Sequence, residues 1–271
     1  MTTKLSISVV LFHTEPTILS NTLESLLVAT KDIDCSITLW LIDQSDHLPY
    51  ADRVRHQCEH QLDHTHLAWR WLGNVPNEGY GAGHNRVPVE EMGDLHLILN
   101  PDVTLHSDAL AVGLNTFSAN PTLVLAAPKG LHANGNEDYL AKRYPTALVL
   151  LCRALKISWL TRYFSQRLAD YEYHDLTDSP AMQPITLASG CFMLVKSRSY
   201  IDSGRFDAGF FLYWEDYDLC MRMADKGLIA RLPHMQIIHD GGGAADKGWR
   251  HIGLFTMGAI RFFNRWGWKW C

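Results

Sequence analysis

The 271-residue sequence lacks three patterns, each of which would define a class of protein. Its six cysteines form no C-x-x-C pair, which excludes a zinc ribbon and argues against a disulfide framework. No apolar run approaches the roughly 18 residues that a membrane-spanning helix needs. With 24 Lys and Arg against 29 Asp and Glu, the chain has no excess of basic residues, so nucleic acid is not an expected partner.

The amino-terminal apolar stretch is also short. Ser6 and Ser8 interrupt its start and His13 closes it, so it predicts a first strand rather than a signal peptide. We therefore expect a cytoplasmic protein with reduced thiols, either free or peripheral on the inner face of the cytoplasmic membrane.

Strand-type apolar runs alternate with helical patterns through the first half of the chain. The predicted strands are 5–11, 36–42, 67–73, 94–99 and 123–127, and the predicted helices begin at Pro16 and span 81–92 and 108–119. This alternation predicts an α/β fold with a mostly parallel central sheet and helices on both faces.

The pattern changes between about 129 and 185, where we predict a helical insertion. Strand character returns in "ITLASGCFMLV", "EDYDLCMRMADKG" predicts a helix closed by Gly227, and "IARLPHMQIIH" supplies the last strands. We expect one domain over 1–243, with halves of about 1–128 and 186–243, followed by an amphipathic helical tail over 244–271.

Three histidines in "VRHQCEHQLDHTH" invite a metal interpretation. His56, His60 and His64 are spaced by four residues and would share one face of a helix. The simpler interpretation is a solvated polar face, because one helix cannot by itself complete a tetrahedral metal site.

Polar residues follow several predicted strands directly, at the sheet edge where open α/β folds bind ligands. They lie in "LIDQSD", "NEGYGAGHN", "LNPDV" and "IIHDGGG". The glycine stretch has Gly79, Gly81 and Gly83 but no third glycine of a G-x-G-x-x-G fingerprint, and it has no Lys or Arg. These features disfavour a nicotinamide enzyme or a nucleotidyltransferase, while glycines here still let a backbone approach a phosphate or sugar closely.

Asp102 is a candidate ligand for a divalent cation, which prefers oxygen ligands and would bridge the carboxylate to diphosphate oxygens. His239 ends another predicted strand and is a candidate second ligand, with a purely structural histidine as the alternative.

A second acidic cluster lies in "FFLYWEDYDLCMR". Glu215, Asp216 and Asp218 begin a predicted helix just after several aromatic residues. Acids stabilise a helix amino terminus, which is one explanation. The other is a site in which a carboxylate with a raised pKa serves as a general base and aromatic faces hold a sugar.

These motifs, in this order, resemble the family 2 glycosyltransferases, and more narrowly the bacterial rhamnosyltransferases of O-antigen and other surface polysaccharides. The resemblance rests on "VVLFHTEP", "LIDQSD", "NEGYGAGHN", "LILNPDV", the stretch from Ser189 to Gly227 and "IIHDGGG". It covers roughly residues 5–128 and 186–243 and implies the GT-A fold, which binds nucleotide sugars.

The resemblance also implies roles for individual residues. Phe12 and Asp43 would hold the nucleobase, and the diphosphate-sugar would contact Asn77, Gly79 and Asn85. Asp102 and His239 would bind an Mg²⁺ or Mn²⁺ ion. Asp216 would be the general base. Asn100 takes the place of the first acid of the family's D-x-D motif, which makes metal dependence less strict. Glu215 and Asp218 would orient the site or bind acceptor hydroxyls, and Trp214 is a candidate substrate-binding residue whose aromatic face could hold a sugar.

The implied reaction is inverting transfer of a sugar. The expected donor is dTDP-rhamnose and the expected acceptor is a saccharide on a polyprenyl diphosphate, with a UDP- or GDP-linked donor or a non-catalytic nucleotide- or carbohydrate-binding module as alternatives. The insertion and tail are amphipathic and cationic, so we expect either a membrane surface or ordinary packing on the domain as their partner. The cations concerned are Lys142, Arg143, Arg153, Lys156 and Arg162.

Overall fold

The structure is a computed structural model that describes residues 3–155, 157–176, 179, 181–239 and 248–270. Within these ranges the strands are β1 (Thr3–Leu11), β2 (Cys35–Asp43), β3 (Ala68–Leu72), β4 (Leu95–Leu99), β5 (Val103–Leu105), β6 (Leu123–Leu131), β7 (Glu137–Asp138), β8 (Ala141–Lys142), β9 (Gln183–Pro184), β10 (Leu187–Ala188), β11 (Phe192–Lys196) and β12 (Leu228–His239). The helices are α1 (Pro16–Thr30), α2 (Leu48–Leu62), α3 (Tyr80–His84), α4 (Ala109–Ala119), α5 (Ala147–Leu155), α6 (Ser158–Tyr163), α7 (Ser165–Tyr171), α8 (Ser197–Asp202), α9 (Glu215–Met223) and α10 (Trp249–Trp266).

One sheet organises the molecule, with its main strands in the order β3-β2-β1-β4-β11-β6-β12-β5. Strands β3, β2, β1 and β4 run parallel, β11 is antiparallel to both β4 and β6, and β12 is parallel to β6. The short strands β7 and β9 join its margins, and β8 pairs with β10 in a separate ribbon. The predicted α/β architecture is confirmed, although the sheet is more mixed than the sequence suggested.

Helices cover both faces of this sheet because side chains alternate along its central strands. In β4, Leu97 and Leu99 join the hydrophobic cluster that contains Leu23 of α1, whereas Ile98 joins the cluster that contains Leu219 of α9. These two buried clusters hold the carboxyl ends of β1, β2 and β4 at one edge of the sheet.

The serines that interrupt the first strand belong to a buried polar network. Ser8 Oγ lies 2.7 Å from His84 Nδ1 and 2.9 Å from His96 Nε2, and Ser6 Oγ lies 2.8 Å from His96 Nδ1. Burial lowers the pKa of His96 to about 3, so this ring is neutral and acts as a hydrogen-bonding bridge. The network joins β1 to β4 and to helix α3.

Several predicted elements differ in extent. The helix expected at 81–92 is reduced to α3 and a 3₁₀ turn at Val89–Glu91, because Pro88 cannot continue an α-helix. Helix α9 ends at Met223, before Gly227, and the insertion contains β7 and β8 besides its helices. His64 lies beyond the end of α2, so the three histidines do not share a helix face.

The carboxyl-terminal helix packs on the domain. Phe262 and Phe263 of α10 are buried against Phe210 and Trp214, and beyond the helix the backbone carbonyl of Lys269 accepts a 2.8 Å hydrogen bond from the amide of Ala147 in α5. Outside the described residues lie Lys156, Asp240, Cys271 and the predicted boundary at 243/244. The division into a domain and a tail therefore stays a prediction.

In the described part of the chain, no helix has the length and apolar character needed to cross a bilayer.

Candidate active site

Five of the residues singled out in the sequence line a single cleft of about 440 Å³. They are Phe12, Asn77, Gly79, Asn100 and Asp102. Phe12 follows β1, Asn77 and Gly79 lie in the loop before α3, and Asn100 and Asp102 follow β4. The cleft therefore lies at the carboxyl edge of the parallel strands, as the topology predicts.

The end of β2 contributes a buried carboxylate beneath the Phe12 side of the cleft. Asp43 Oδ1 accepts a 3.0 Å hydrogen bond from the amide of Ser45, whereas its Oδ2 is buried with no hydrogen-bond partner among the described residues. Phe12 is half exposed. An unsatisfied buried oxygen carries a cost that a ligand donor would remove, which suits the predicted pairing of Asp43 with a nucleobase N–H.

The glycine loop packs closely against its protein neighbours. Gly79 has φ of +104°, and a Cβ there would lie 2.1 Å from the carbonyl oxygen of Phe211. A Cβ on Gly81 would meet Phe206 at 2.7 Å, and one on Gly83 would meet the Gln44 amide at 2.4 Å. The glycines let this short loop pack closely while Asn77 faces the cleft.

Asn85 does not line the cleft. Its Nδ2 donates a 2.8 Å hydrogen bond to the carbonyl of Phe206, and its Oδ1 accepts from the Phe206 amide and the Tyr200 hydroxyl. The amide joins α3 to the loop after α8, and the expected contact with a diphosphate-sugar stays a prediction.

Asp102 and His239 are brought together by strand pairing. His239 is opposite Val103 in the antiparallel ladder between β12 and β5, and Asp102 is the residue next to Val103. The distance from Asp102 Oδ1 to His239 Nε2 is 3.8 Å, too long for a hydrogen bond.

This pair fits a divalent cation. Asp102 Oδ1 is buried with no hydrogen-bond partner among the described residues, and two ligands about 2.1 Å from one ion lie roughly 3–4 Å apart. Nowhere in the described ranges do three or more His, Cys, Asp or Glu side chains form a metal cluster. Diphosphate oxygens and waters would have to complete the coordination, as Mg²⁺ commonly requires.

Asp216 lies beside the cleft, behind Tyr80. Its Oδ2 accepts a 2.9 Å hydrogen bond from the amide of Gly190, and the carbonyl of Gly190 accepts a 2.7 Å hydrogen bond from the Tyr80 hydroxyl. The pKa of Tyr80 is raised, mainly by burial and then by the charges of Cys191, Glu215, Asp216 and Asp102. Asp102 and Asp216 therefore both act on one ring that lines the cleft.

The environment of Asp216 suits a general base. Burial raises its pKa to about 6, although the amides of Gly190 and Tyr217 oppose that shift. Burial and then the charge of Asp216 raise the pKa of Glu215 well above its ordinary value.

The other residues of this cluster have structural surroundings. Asp218 is fully buried and accepts hydrogen bonds from Arg222 Nε at 2.8 Å and Trp266 Nε1 at 2.9 Å. Trp214 is 3% exposed and packs in a tilted geometry on three aromatic rings of α10, and Glu215 is also buried. In the structure both Asp218 and Trp214 contact the carboxyl-terminal helix, and their expected roles toward substrate stay predictions.

Sequence reasoning missed the contribution of α10 to the cleft. Arg250, His251 and Leu254 line it together with Asp102, and the His251 ring bonds to the Tyr213 hydroxyl at 2.9 Å. Arg250 supplies a cation beside the predicted diphosphate position. The only sequence signal was the apolar pattern of α10, which does not reveal where that helix docks.

The fold is the GT-A fold, shared with solved glycosyltransferases. GalNAc-T7, solved with UDP, GalNAc and Mn²⁺, has a TM-score of 0.63 at 12% identity, covering 97% of this chain and 48% of its own. The mannosyltransferase PcManGT from Pyrobaculum calidifontis, solved with GDP-Man and Mn²⁺, has a TM-score of 0.62 at 15% identity, covering 96% and 65%. At these identities the likeness shows the fold.

Sequence relatives narrow the resemblance to rhamnosyltransferases, as the motifs predicted. The N-acetylglucosaminyl-diphospho-decaprenol L-rhamnosyltransferase of Mycobacterium tuberculosis is 24% identical over 189 residues, covering 63% of this chain and 58% of the relative. The rhamnosyltransferase WbbL of Escherichia coli K12 is 26% identical over 177 residues, covering 59% and 60%. The chain thus spans about six tenths of these relatives, and no protein-family model matches it.

Proposed function

We propose that this protein is an inverting glycosyltransferase that moves L-rhamnose from dTDP-rhamnose to a lipid-linked saccharide. The observation that carries the proposal is the convergence of distant residues on one cleft: Phe12, Asn77, Asn100 and Asp102 line it, and Asp216 lies beside it. The names of the sequence relatives support the choice of rhamnose.

On the donor side, Asp102 and His239 would hold Mg²⁺ or Mn²⁺, which when bound offsets the charge that develops on the departing diphosphate. Arg250 lies at the same cleft and would meet the diphosphate with a charge-assisted hydrogen bond. Phe12 and Asp43 would hold the base by stacking and by accepting its N–H.

On the acceptor side, Asp216 would remove the proton of the attacking hydroxyl. The new bond forms at the anomeric carbon as the bond to the diphosphate oxygen breaks on the opposite face, which inverts the configuration. With a pKa of about 6, Asp216 is ionised at neutral pH yet basic enough to accept a proton from an alcohol as it attacks.

A panel of nucleotide sugars with a diphospholipid-linked N-acetylglucosamine acceptor tests this function. We expect release of dTDP from dTDP-rhamnose at least about tenfold faster than release of nucleoside diphosphate from UDP- or GDP-linked sugars, since each 1.4 kcal/mol of discrimination is tenfold. Faster release from a UDP- or GDP-sugar would replace the donor. Nucleotide-sugar binding without any release would instead identify a non-catalytic binding module.

The acceptor of one relative carries a decaprenyl diphosphate, which supports a membrane-surface location for this protein as well. Helix α10 buries one face in the domain, yet Trp249, Ile252, Met257 and Ile260 form an exposed stripe on the other. Clustered exposed apolar side chains of this kind support a further partner for the helix.

Two further exposed aromatic residues lie in or contact the insertion. Trp159 and Trp270 are each 70% exposed, and the carbonyl of Trp270 bonds to the amide of Leu148 in α5. Arg162 and Lys269 lie close by in sequence, so we propose an anionic bilayer as the partner. Arg143 is committed to Asp170 and Asp175, and Arg153 and Lys142 to Glu172, which removes these from the expected headgroup contacts.

Vesicle flotation tests whether the exposed apolar residues of α10 and the insertion bind a bilayer. Deleting the end of α10 would remove the buried Phe262 and Phe263, so the informative variant is Trp159→Ser combined with Trp270→Ser. We expect binding to phosphatidylglycerol vesicles to fall at least about fivefold, with Val28→Ser, an exposed apolar residue of α1, as the control. Equal flotation of the double variant, or concentration-dependent dimerisation in place of flotation, contradicts the membrane proposal.

A further inference from the structure

The Asp102–His239 pair has a third neighbour that neither the motifs nor the relatives indicate. Asp138 Oδ2 lies 3.0 Å from His239 Nδ1, on the side of the ring opposite to Asp102. Both side chains are largely shielded from solvent, with His239 13% and Asp138 23% exposed.

We propose that Asp138 is a positioning residue that fixes the tautomer and the orientation of His239. This inference rests on the proposed function, in which His239 is a metal ligand. An ionised carboxylate only accepts hydrogen bonds, so the Nδ1 of His239 carries the proton. Nε2 is then left with a lone pair on the side of Asp102, the arrangement that a metal-binding imidazole requires.

The position of Asp138 is built into the sheet. Gly130 of β6 pairs with Asp138 of β7 on one side and with Ile237 of β12 on the other. Because glycine has no side chain, Gly130 places none between β7 and β12. A Cβ on Gly130 would lie 2.7 Å from the carbonyl oxygen of Asp138. The glycine permits the close approach that lets this carboxylate reach His239.

A neighbouring ion pair holds the same strand in place. Glu137, the residue before Asp138, is paired with the buried guanidinium of Arg231 on β12. The two residues of β7 therefore have separate partners on β12, Glu137 binding Arg231 and Asp138 binding His239. Glu137→Gln consequently provides a matched control, since it alters a carboxylate of the same strand without touching His239.

The test measures the tautomer directly. In ¹⁵N-histidine-labelled protein, two-bond ¹H–¹⁵N spectra distinguish Nδ1–H from Nε2–H rings, and a His239→Gln variant identifies the signals. We expect the Nδ1–H tautomer in the wild type and in Glu137→Gln. In Asp138→Asn the side-chain amide can also donate to Nδ1, so a mixture or the Nε2–H form is expected. An unchanged tautomer in folded Asp138→Asn overturns the inference.

A second measurement does not depend on turnover. With dTDP present, the Mn²⁺ dissociation constant measured by electron paramagnetic resonance should rise about 10–100-fold in Asp138→Asn and recover partly in Asp138→Glu. Equal Mn²⁺ affinity in wild type and folded Asp138→Asn contradicts the positioning role. If the wild type binds no Mn²⁺ while the tautomer still responds to Asp138→Asn, the metal part of the proposed function fails and the positioning of the ring stands.

Discussion

The strand-end cleft and the start of α9 both present acidic residues, but the two regions satisfy them differently. Around the cleft, Asp43 Oδ2 and Asp102 Oδ1 are buried without hydrogen-bond partners among the described residues. At the start of α9 the acids differ: Glu215 Oε2 is likewise buried with no hydrogen-bond partner among the described residues, whereas both oxygens of Asp218 accept, one from Arg222 and one from Trp266. A buried acid that lacks a partner indicates a ligand, whereas one with partners indicates structure.

Asp216 combines properties of both regions. Its oxygens accept from the amides of Gly190 and Tyr217, yet burial still raises its pKa to about 6. Its ionised form is thus held in place without an opposing cation. This is the environment of a carboxylate that exchanges a proton at neutral pH.

The comparison is tested most strongly by Asp102→Asn. Loss of the charge should weaken Mn²⁺ binding and lower kcat/KM by about 10²–10³-fold, because the diphosphate charge is then poorly offset. Asp108→Asn, which alters a surface acid paired with His106, is the matched control. Unchanged metal dependence in Asp102→Asn would remove this residue from the donor site.

The pH profile distinguishes the base from the structural acids. Because the raised pKa of Asp216 is about 6, the ionised form is lost below that pH, and kcat/KM should fall about tenfold per pH unit between pH 6 and pH 5. The measurement is made at temperatures where circular dichroism shows a folded protein. An inflection near pH 4, or a profile that is flat down to pH 5, would show that no base with a raised pKa acts.

Arg250→Ala examines the part of the cleft that the sequence did not reveal. Removing one charge-assisted hydrogen bond should raise the dissociation constant of dTDP about tenfold. Arg198→Ala, at an 81% exposed side chain paired with Asp202, should leave it unchanged. Equal dTDP affinities for Arg250→Ala and wild type, measured by calorimetry, would exclude Arg250 from donor binding.

Asp218→Asn is expected to have the smallest effect on chemistry and a clear one on stability. Breaking its buried pairing with Arg222 should cost about 3 kcal/mol, or a Tm decrease of roughly 5–10 °C. At temperatures well below Tm, kcat should stay within about threefold of the wild type. Asp225→Asn, an exposed acid just after α9, is the control. A large loss of kcat with an unchanged Tm would reassign Asp218 to the acceptor site.

The sequence predicted the strands and the cleft better than the acidic cluster. β1, β2 and β4 are mostly apolar, with Ser6, Ser8 and His96 as interruptions, and their common edge follows from parallel pairing, which predicts that Phe12, Asn100 and Asp102 lie together. The roles of the acids in "EDYD" depend on which face of α9 each side chain occupies. Glu215 and Asp218 are three residues apart and share the buried face of α9 with Leu219. Asp216 lies off that face. That helical spacing was readable from the sequence.

The remaining parts of the site depend on tertiary packing. Arg250 reaches the cleft because α10 docks on Trp214 and Asp218, and Asp138 reaches His239 because β7 pairs with β6. Both contacts join segments far apart in the chain, and no local pattern of apolar residues encodes them. The mixed direction of the sheet at β11 likewise follows from its pairing with β4 and β6 rather than from its composition.

The most direct test of the account compares donor binding with transfer in Asp216→Asn. The raised pKa means that ionised Asp216 opposes folding at neutral pH, so the variant should be no less stable than the wild type. We expect dTDP-rhamnose to bind with an unchanged dissociation constant while kcat for transfer falls by at least about 10³-fold, the loss expected for a missing general base. Transfer at a near-normal rate by the folded variant would contradict the account.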